Sequence, residues 1–306
     1  MAKRASEISP SMTAIAELLR PGVAQYRVPT RKCSPDKSIP VHAFGAKHVA
    51  AIPTHPVTPS NPEDAPYSAI PKRMRGATFA DRGYPWGAIG RVDTPRGHGT
   101  GCLVGPRHLL TASHLVKWHP DNRAASIRFR PGFNNDLSGE REDVCATSVT
   151  VYKKIEVGSP PGIANGDVSA DMALCLLERR VGDELGWLGT RVYDDESDDE
   201  SHWANVGYPS DPQRHEGMRP IYDSDVTVQP HHSRQLGLGT IIRCKGEMVP
   251  GHSGGSVFAF WPDGPYSIGV YSSSGSIGDL SDEPGNFLAG GKLLVQLVRK
   301  MREDFP

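Results

Sequence analysis

Several protein classes are excluded by what this chain lacks. None of its apolar runs approaches the roughly 20 residues that a membrane-spanning helix needs. No secretory leader is recognisable: the early apolar stretch Met12-Thr13-Ala14-Ile15-Ala16 is short and is interrupted by Glu17. Neither sign of charge predominates, with 34 Lys and Arg against 35 Asp and Glu, so nucleic acid and anionic membrane surfaces are not expected partners. Cysteine is sparse and odd in number, at positions 33, 102, 145, 175 and 244. There is no Cys-x-x-Cys pair, which argues against a zinc or dithiol site, and no metal or cofactor is expected. Buried free thiols are the default reading, with one disulfide such as Cys145–Cys175 as the alternative. No internal repeat is evident.

What is present divides the chain near residue 75. The first part holds many of the 27 prolines and few apolar runs, a composition that favours a largely irregular arm over a packed core. Within it, residues 11–20 fit a short amphipathic helix, with Ser11 as cap and Ile15, Leu18 and Leu19 on one side. The arm ends in the basic cluster Lys72-Arg73-Met74-Arg75, read either as a solvated linker or as a processing site that releases a propeptide.

From Gly76 onward, short apolar segments alternate with Gly, Pro, Asn and Asp turns. Strands are expected at 88–92, 100–104, 108–113, 126–130, 148–153 and 172–178. A second set follows at 203–207, 225–229, 239–244, 256–260 and 266–272. Many short strands with few helical patterns between them point to an all-β barrel or sandwich. Between the sets runs Asp194-Asp195-Glu196-Ser197-Asp198-Asp199-Glu200, a solvated loop that lacks the spacing and glycine of a calcium loop. Leu293, Leu294, Leu297, Val298, Met301 and Phe305 then recur at helical spacing, predicting an amphipathic terminal helix packed on the β body.

The stretch Pro250-Gly251-His252-Ser253-Gly254-Gly255-Ser256 is the candidate for chemistry. A serine between glycines can project its hydroxyl from a sharp turn and bring backbone N–H groups to a developing oxyanion. Such a hydroxyl is a poor nucleophile unless a base lies within hydrogen-bond reach and a further group orients that base. Of the 12 histidines, His108, His119, His215, His231 and His232 sit among polar or turn residues and read as solvated. His114 differs, ending the run Leu109-Leu110-Thr111-Ala112-Ser113-His114, where small residues let substrate approach the imidazole. For the orienting carboxylate, Asp171 opens the apolar run Asp171-Met172-Ala173-Leu174-Cys175-Leu176-Leu177, where an unpaired charge would be costly. Asp167 and Asp143 are the fallbacks.

Gly99-Thr100-Gly101-Cys102-Leu103-Val104-Gly105-Pro106, leading into Thr111-Ala112-Ser113-His114, then Asp171-Met172-Ala173-Leu174 and Gly251-His252-Ser253-Gly254-Gly255, resembles the trypsin-like serine peptidases of chymotrypsin fold. Tyr84-Pro85-Trp86-Gly87-Ala88-Ile89-Gly90-Arg91 and Val206-Gly207-Tyr208-Pro209 are similar to segments of the glutamyl endopeptidase-like branch. The resemblance implies two packed antiparallel β-barrels with the site in the cleft between them and a C-terminal α-helix. Residues 1–75 then form the arm and 76–306 the peptidase domain, with the first barrel over about 76–185, the second over about 186–290 and the helix over about 291–305. The implied activity is that of a serine endopeptidase acting on polypeptides through an acyl-enzyme. Ser253 is the implied nucleophile, His114 the base, Asp171 its orienting group, and the N–H groups of Gly251 and Ser253 the oxyanion hole. Tyr271, Ser272 and Ser273 are expected beside the substrate. Glu247 reads either as a pocket wall favouring Arg or Lys, or as a surface carboxylate.

The departures from the family pattern are informative. Leu115 stands where trypsins carry a cysteine after the histidine, so the disulfide beside the site is missing. The resemblance implies secretion, the cysteine pattern does not require it, and the compartment stays open. His252 replaces the aspartate that receives a freed N-terminus in trypsins, and Tyr271 replaces a histidine that helps glutamyl endopeptidases bind acidic side chains. Preference for cleavage after Glu is therefore left open. An esterase of the α/β-hydrolase type needs its histidine after the serine, and none follows Ser253. The remaining alternative is a protease fold kept as a catalytically silent binding or regulatory module.

Overall fold

The computed structural model describes residues 38–43, 77–78, 83–135, 143–157, 163–193, 203–210, 217–229, 234–236, 239–261, 263–277 and 281–306. The helix expected over 11–20, the basic cluster 72–75, the acidic run 194–200 and His215, His231 and His232 lie outside them. The described residues form two closed six-stranded antiparallel barrels and a C-terminal helix, the all-β class expected.

The first barrel is built from Ile89–Thr94, Gly97–Gly105, His108–Thr111, Arg128–Pro131, Val144–Val151 and Ala173–Leu177. It closes because Ala173–Leu177 pairs with His108–Thr111 on one edge and with Val144–Val151 on the other. Closure leaves no barrel edge exposed and turns alternate side chains inward, so Val92, Leu103, Leu109, Phe129, Val149 and Leu174 share one core. One strand comes from inside the segment read as an irregular arm: Ile39–Ala43 lies parallel to Val149–Val151 and antiparallel to Arg123–Ala124. Pro40 and the polar residues around it hide its alternating Ile39 and Val41, both buried against the barrel.

The second barrel comprises Trp203–Gly207, Ile221–Val228, Gly239–Lys245, Ser256–Trp261, Gly264–Ile277 and Ser281–Gly290. Ile221–Val228 and Gly239–Lys245 pair to close it. Trp203, Val226, Val228, Ile242, Val257, Ile268 and Leu288 fill its interior. Ser281–Gly290 is a further strand that the expected set does not include, and Pro284-Gly285 interrupts its apolar alternation. It pairs on both sides, with Gly239–Lys245 and with Gly264–Ile277, and those partners override its weak local preference.

Lys292–Asp304 forms the terminal helix, and Leu293, Leu294, Leu297, Val298 and Met301 are buried together with the first barrel's core. Burying five such side chains contributes on the order of 10 kcal/mol before the entropy of ordering is subtracted. The helix also covers His108, which is fully buried and bonds through Nε2 to the Met301 carbonyl at 3.1 Å. The solvated position expected for His108 is thus corrected, whereas His119 is partly exposed. His108 alternates with the inward Leu109 and faces away from the barrel interior, where the terminal helix buries it. Cys175 is a free, buried thiol in a barrel strand, so it makes no bridge to Cys145, which is disulfide-bonded. Cys102 and Cys244 are likewise free and buried.

Candidate active site

The imidazole comes from the turn after the strand His108–Thr111, where Ser113–Leu115 makes one 3-10 turn and buries His114. Asp171 follows another 3-10 turn, Asn165–Ala170, and is separated by one residue from the strand Ala173–Leu177. Because those two strands pair, with Ala173 opposite Thr111, the residues just beyond the pairing are brought face to face. Asp171 Oδ2 lies 2.6 Å from His114 Nδ1, and its Oδ1 accepts the His114 backbone N–H at 2.9 Å. Ser272 donates its hydroxyl to Oδ2 as well, at 2.6 Å. The carboxylate has no exposed surface, and three hydrogen bonds satisfy it in place of water. This arrangement selects the tautomer that carries its proton on Nδ1 and leaves Nε2, which has no hydrogen-bond partner among the described residues, as an acceptor. The fallback carboxylates go elsewhere: Asp143 pairs with Arg130 at 2.9 Å and Asp167 with Lys153.

The second barrel contributes the loop Val249–Gly255, between Gly239–Lys245 and Ser256–Trp261. Most of its backbone polar groups are engaged, within the loop or by residues packed around it. Pro250 O accepts the Ser210 N–H at 2.7 Å, and His252 N–H donates to Val249 O at 3.0 Å. Gly254 N–H donates to Tyr271 O and Gly255 N–H to His252 O, each at 2.8 Å. Thr100 N–H donates to Ser253 O at 2.8 Å, and Thr100 Oγ1 donates to Gly251 O at 2.8 Å. Among the described residues the N–H groups of Val249, Gly251 and Ser253 have no hydrogen-bond partner. Gly251 and Gly254 take φ of +96° and +82°, so the turn has a conformation that favours glycine. A Cβ on Gly254 would stand 2.3 Å from Thr111 Oγ1 and 2.7 Å from Ala112 N, which shows how closely the loop is pressed on the approach to His114.

Ser253 is partly exposed, and among the described residues no hydrogen bond joins its Oγ to His114. In unliganded sites such bonds are often long or misaligned and tighten only with substrate bound. Tyr271 is buried with the second barrel's core; it meets the loop through its backbone, its hydroxyl meets Ser274, and burial pushes its phenol pKa up. Ser273 is partly exposed, and the outer edge of the strand beyond Tyr271 has no partner among the described residues. Glu247 is partly buried, with its N–H on Asp223 Oδ2 at 2.7 Å. His252 is fully buried, its ring lying against Gly207.

Sequence reasoning gave no role to three groups that shape this site. Thr100 lay in a quoted motif, but a hydroxyl reaching across to another barrel has no local signal. Ser210 supports the outer side of the loop. His98 Nε2 lies 3.1 Å from Tyr208 O and 3.2 Å from Ser210 Oγ, and burial with the nearby Arg91 lowers its pKa.

No family profile and no curated protein sequence matches this chain. Solved structures do. A Glu endopeptidase superposes with a TM-score of 0.56 at 17% identity, covering 76% of this chain and 99% of its own. The protease Anisep from Arthrobacter nicotinovorans gives 0.50 at 16% identity, covering 74% and 97%. The human heparin binding protein gives 0.52 at 14% identity, covering 76% and 96%. At such identities the likeness defines the fold: the chain has the chymotrypsin-type double barrel of the trypsin-like serine proteases.

Proposed function

We propose that the chain is a serine endopeptidase hydrolysing peptide bonds in polypeptides. The observation that carries this reading is the meeting of two half-sites. A buried Asp171–His114 pair lies at the end of a strand against which the loop of a glycine-flanked serine is pressed, with Gly254 packed on Thr111 and Ala112. In the proposed reaction Ser253 Oγ attacks the scissile carbonyl and passes its proton to His114 Nε2. Asp171 stabilises the imidazolium and keeps its orientation, and the Gly251 and Ser253 N–H groups receive the oxyanion. His114 then returns the proton to the leaving amine, and water reverses the sequence to release the acyl group.

The open strand edge from Ser272 onward suits an extended substrate, which would add as a further strand. Glu247 is the proposed pocket carboxylate, favouring Arg or Lys before the scissile bond.

The test is casein cleavage together with covalent labelling by a fluorophosphonate, which reacts only with an activated serine. Ser253→Ala should lose both, with a fall of roughly 10⁴- to 10⁶-fold in turnover and an unchanged fold by circular dichroism. Undiminished casein cleavage in that variant would sink the reading. In the silent-module alternative the wild-type chain would fold and take no label.

A further inference from the structure

We infer that Thr100 is the positioning residue that sets the oxyanion-binding conformation of the nucleophile loop from the opposite barrel. It is fully buried in the first-barrel strand Gly97–Gly105 and contacts the second barrel through both backbone and side chain. Its N–H donates to Ser253 O at 2.8 Å. Its hydroxyl donates to Gly251 O at 2.8 Å and accepts the Tyr208 N–H at 3.1 Å. Its carbonyl accepts the Thr111 hydroxyl at 2.7 Å, which ties it to the strand leading into His114.

The consequence follows from peptide planarity. A peptide's C=O and the next residue's N–H turn together, so fixing one fixes the other. The Gly251–His252 plane is held by Thr100 Oγ1 on its carbonyl and Val249 O on its N–H. The Ser253–Gly254 plane is held by Thr100 N–H and Tyr271 O. These planes flank the Ser253 N–H on both sides and the Gly251 N–H on one. The planes that carry those two N–H groups are held by Gly255 N–H on His252 O and Ser210 N–H on Pro250 O, so Thr100 acts from the neighbouring peptides. Gly251, at φ +96° and without a side chain, has little of its own to resist rotation, so an external anchor on its carbonyl is needed. Thr100 thus joins the barrel of His114 to that of Ser253 by hydrogen bonds, alongside Ser272 on Asp171 and His98 on Tyr208 and Ser210.

This inference rests on the serine-peptidase reading for its kinetic part only. Thr100→Val keeps the shape and the backbone N–H while removing the hydroxyl; Thr100→Ser keeps the hydroxyl. The first should lower kcat per titrated active site about 10- to 100-fold at a nearly constant KM, and Ser should restore it to within about threefold. Amide hydrogen exchange should rise at Tyr208 and across 252–255 in the Val variant and stay at the wild-type level in the Ser variant. Where Val does not fold, Thr100→Ala provides the same deletion. Unchanged kcat and unchanged exchange in a folded hydroxyl-less variant would overturn the inference. A wild-type chain that takes no fluorophosphonate sinks the peptidase reading instead, and the exchange result alone then decides whether Thr100 anchors the loop.

Discussion

His114 and Ser253 are held by different means, although both reach the cleft from barrels of the same construction. His114 is anchored by side-chain chemistry: a buried carboxylate bonds both its ring and its backbone, and Ser272 braces that carboxylate. Ser253 sits on a loop whose side chains do little of the holding. Its order comes from carbonyl and N–H groups, two glycines with positive φ, and Thr100 of the other barrel. A base must present one nitrogen in one tautomer, which a fixed carboxylate achieves. An oxyanion site must leave two N–H groups unused while its other backbone groups are satisfied, and a fold achieves that only by engaging the remaining peptides elsewhere.

The largest effect should come from breaking the carboxylate side. Asp171→Asn leaves the shape but favours the wrong tautomer, and turnover should fall about 10⁴-fold, read as the rate of fluorophosphonate labelling. Breaking the backbone side calls for a methyl group. Gly254→Ala sets a Cβ against Thr111 Oγ1 and Thr100 O at φ +82°. The loop must shift, and labelling should fall about 10²- to 10³-fold while His114 and Asp171 keep their bond. Equal labelling by the Ala variant would show that the loop tolerates movement and that the contrast between the two halves is weaker than drawn.

A buried histidine with a different partner sharpens the comparison. His108 faces the Met301 carbonyl, with Arg302 and Arg107 nearby, and no carboxylate stabilises its charged form. Burial pushes its pKa down to about 4 from 6.5, with the two arginines adding to the shift and the Met301 bond opposing it. Between those values the unfolded chain binds the proton and the folded chain does not. This site's contribution is therefore fully present above pH 6.5 and lost as pH falls toward 4, by up to about 3 kcal/mol. Urea unfolding at pH 7.5 and 4.5 should show that loss, and His108→Gln should reduce the pH slope. The smallest effect is expected where side-chain bonds are exposed. Arg299 bonds Glu303 at 2.6 Å on the outer face of the terminal helix, and Arg299→Ala should cost less than about 0.5 kcal/mol in the same assay. A larger cost would mean that burial is not what gives the Asp171–His114 pair its weight.

Much of this architecture was legible because it is written in local patterns. Alternating apolar segments predicted most barrel strands, and the spacing of Leu293, Leu294, Leu297, Val298 and Met301 predicted the terminal helix on its correct face. His114 and Asp171 were readable as polar groups at the ends of apolar strands, where burial without a partner would be costly. The strands at Ile39–Ala43 and Ser281–Gly290 were not. Prolines and polar residues obscure their period, and only partners distant in sequence make them strands. His108 was misread for the same reason, since its burial depends on a helix that begins about 180 residues later in the chain.

The sequence alone determined which residue types could do chemistry and in what order they occur: an imidazole after small residues, a carboxylate before an apolar strand, and a serine among glycines. Tertiary structure decided which carboxylate meets the imidazole, by pairing Ala173 with Thr111 and sending Asp143 and Asp167 to surface cations. It also decided which N–H groups stay unused. That choice rests on hydrogen bonds between residues as far apart as Thr100 and Gly251, and such bonds exist only once two barrels have closed and docked.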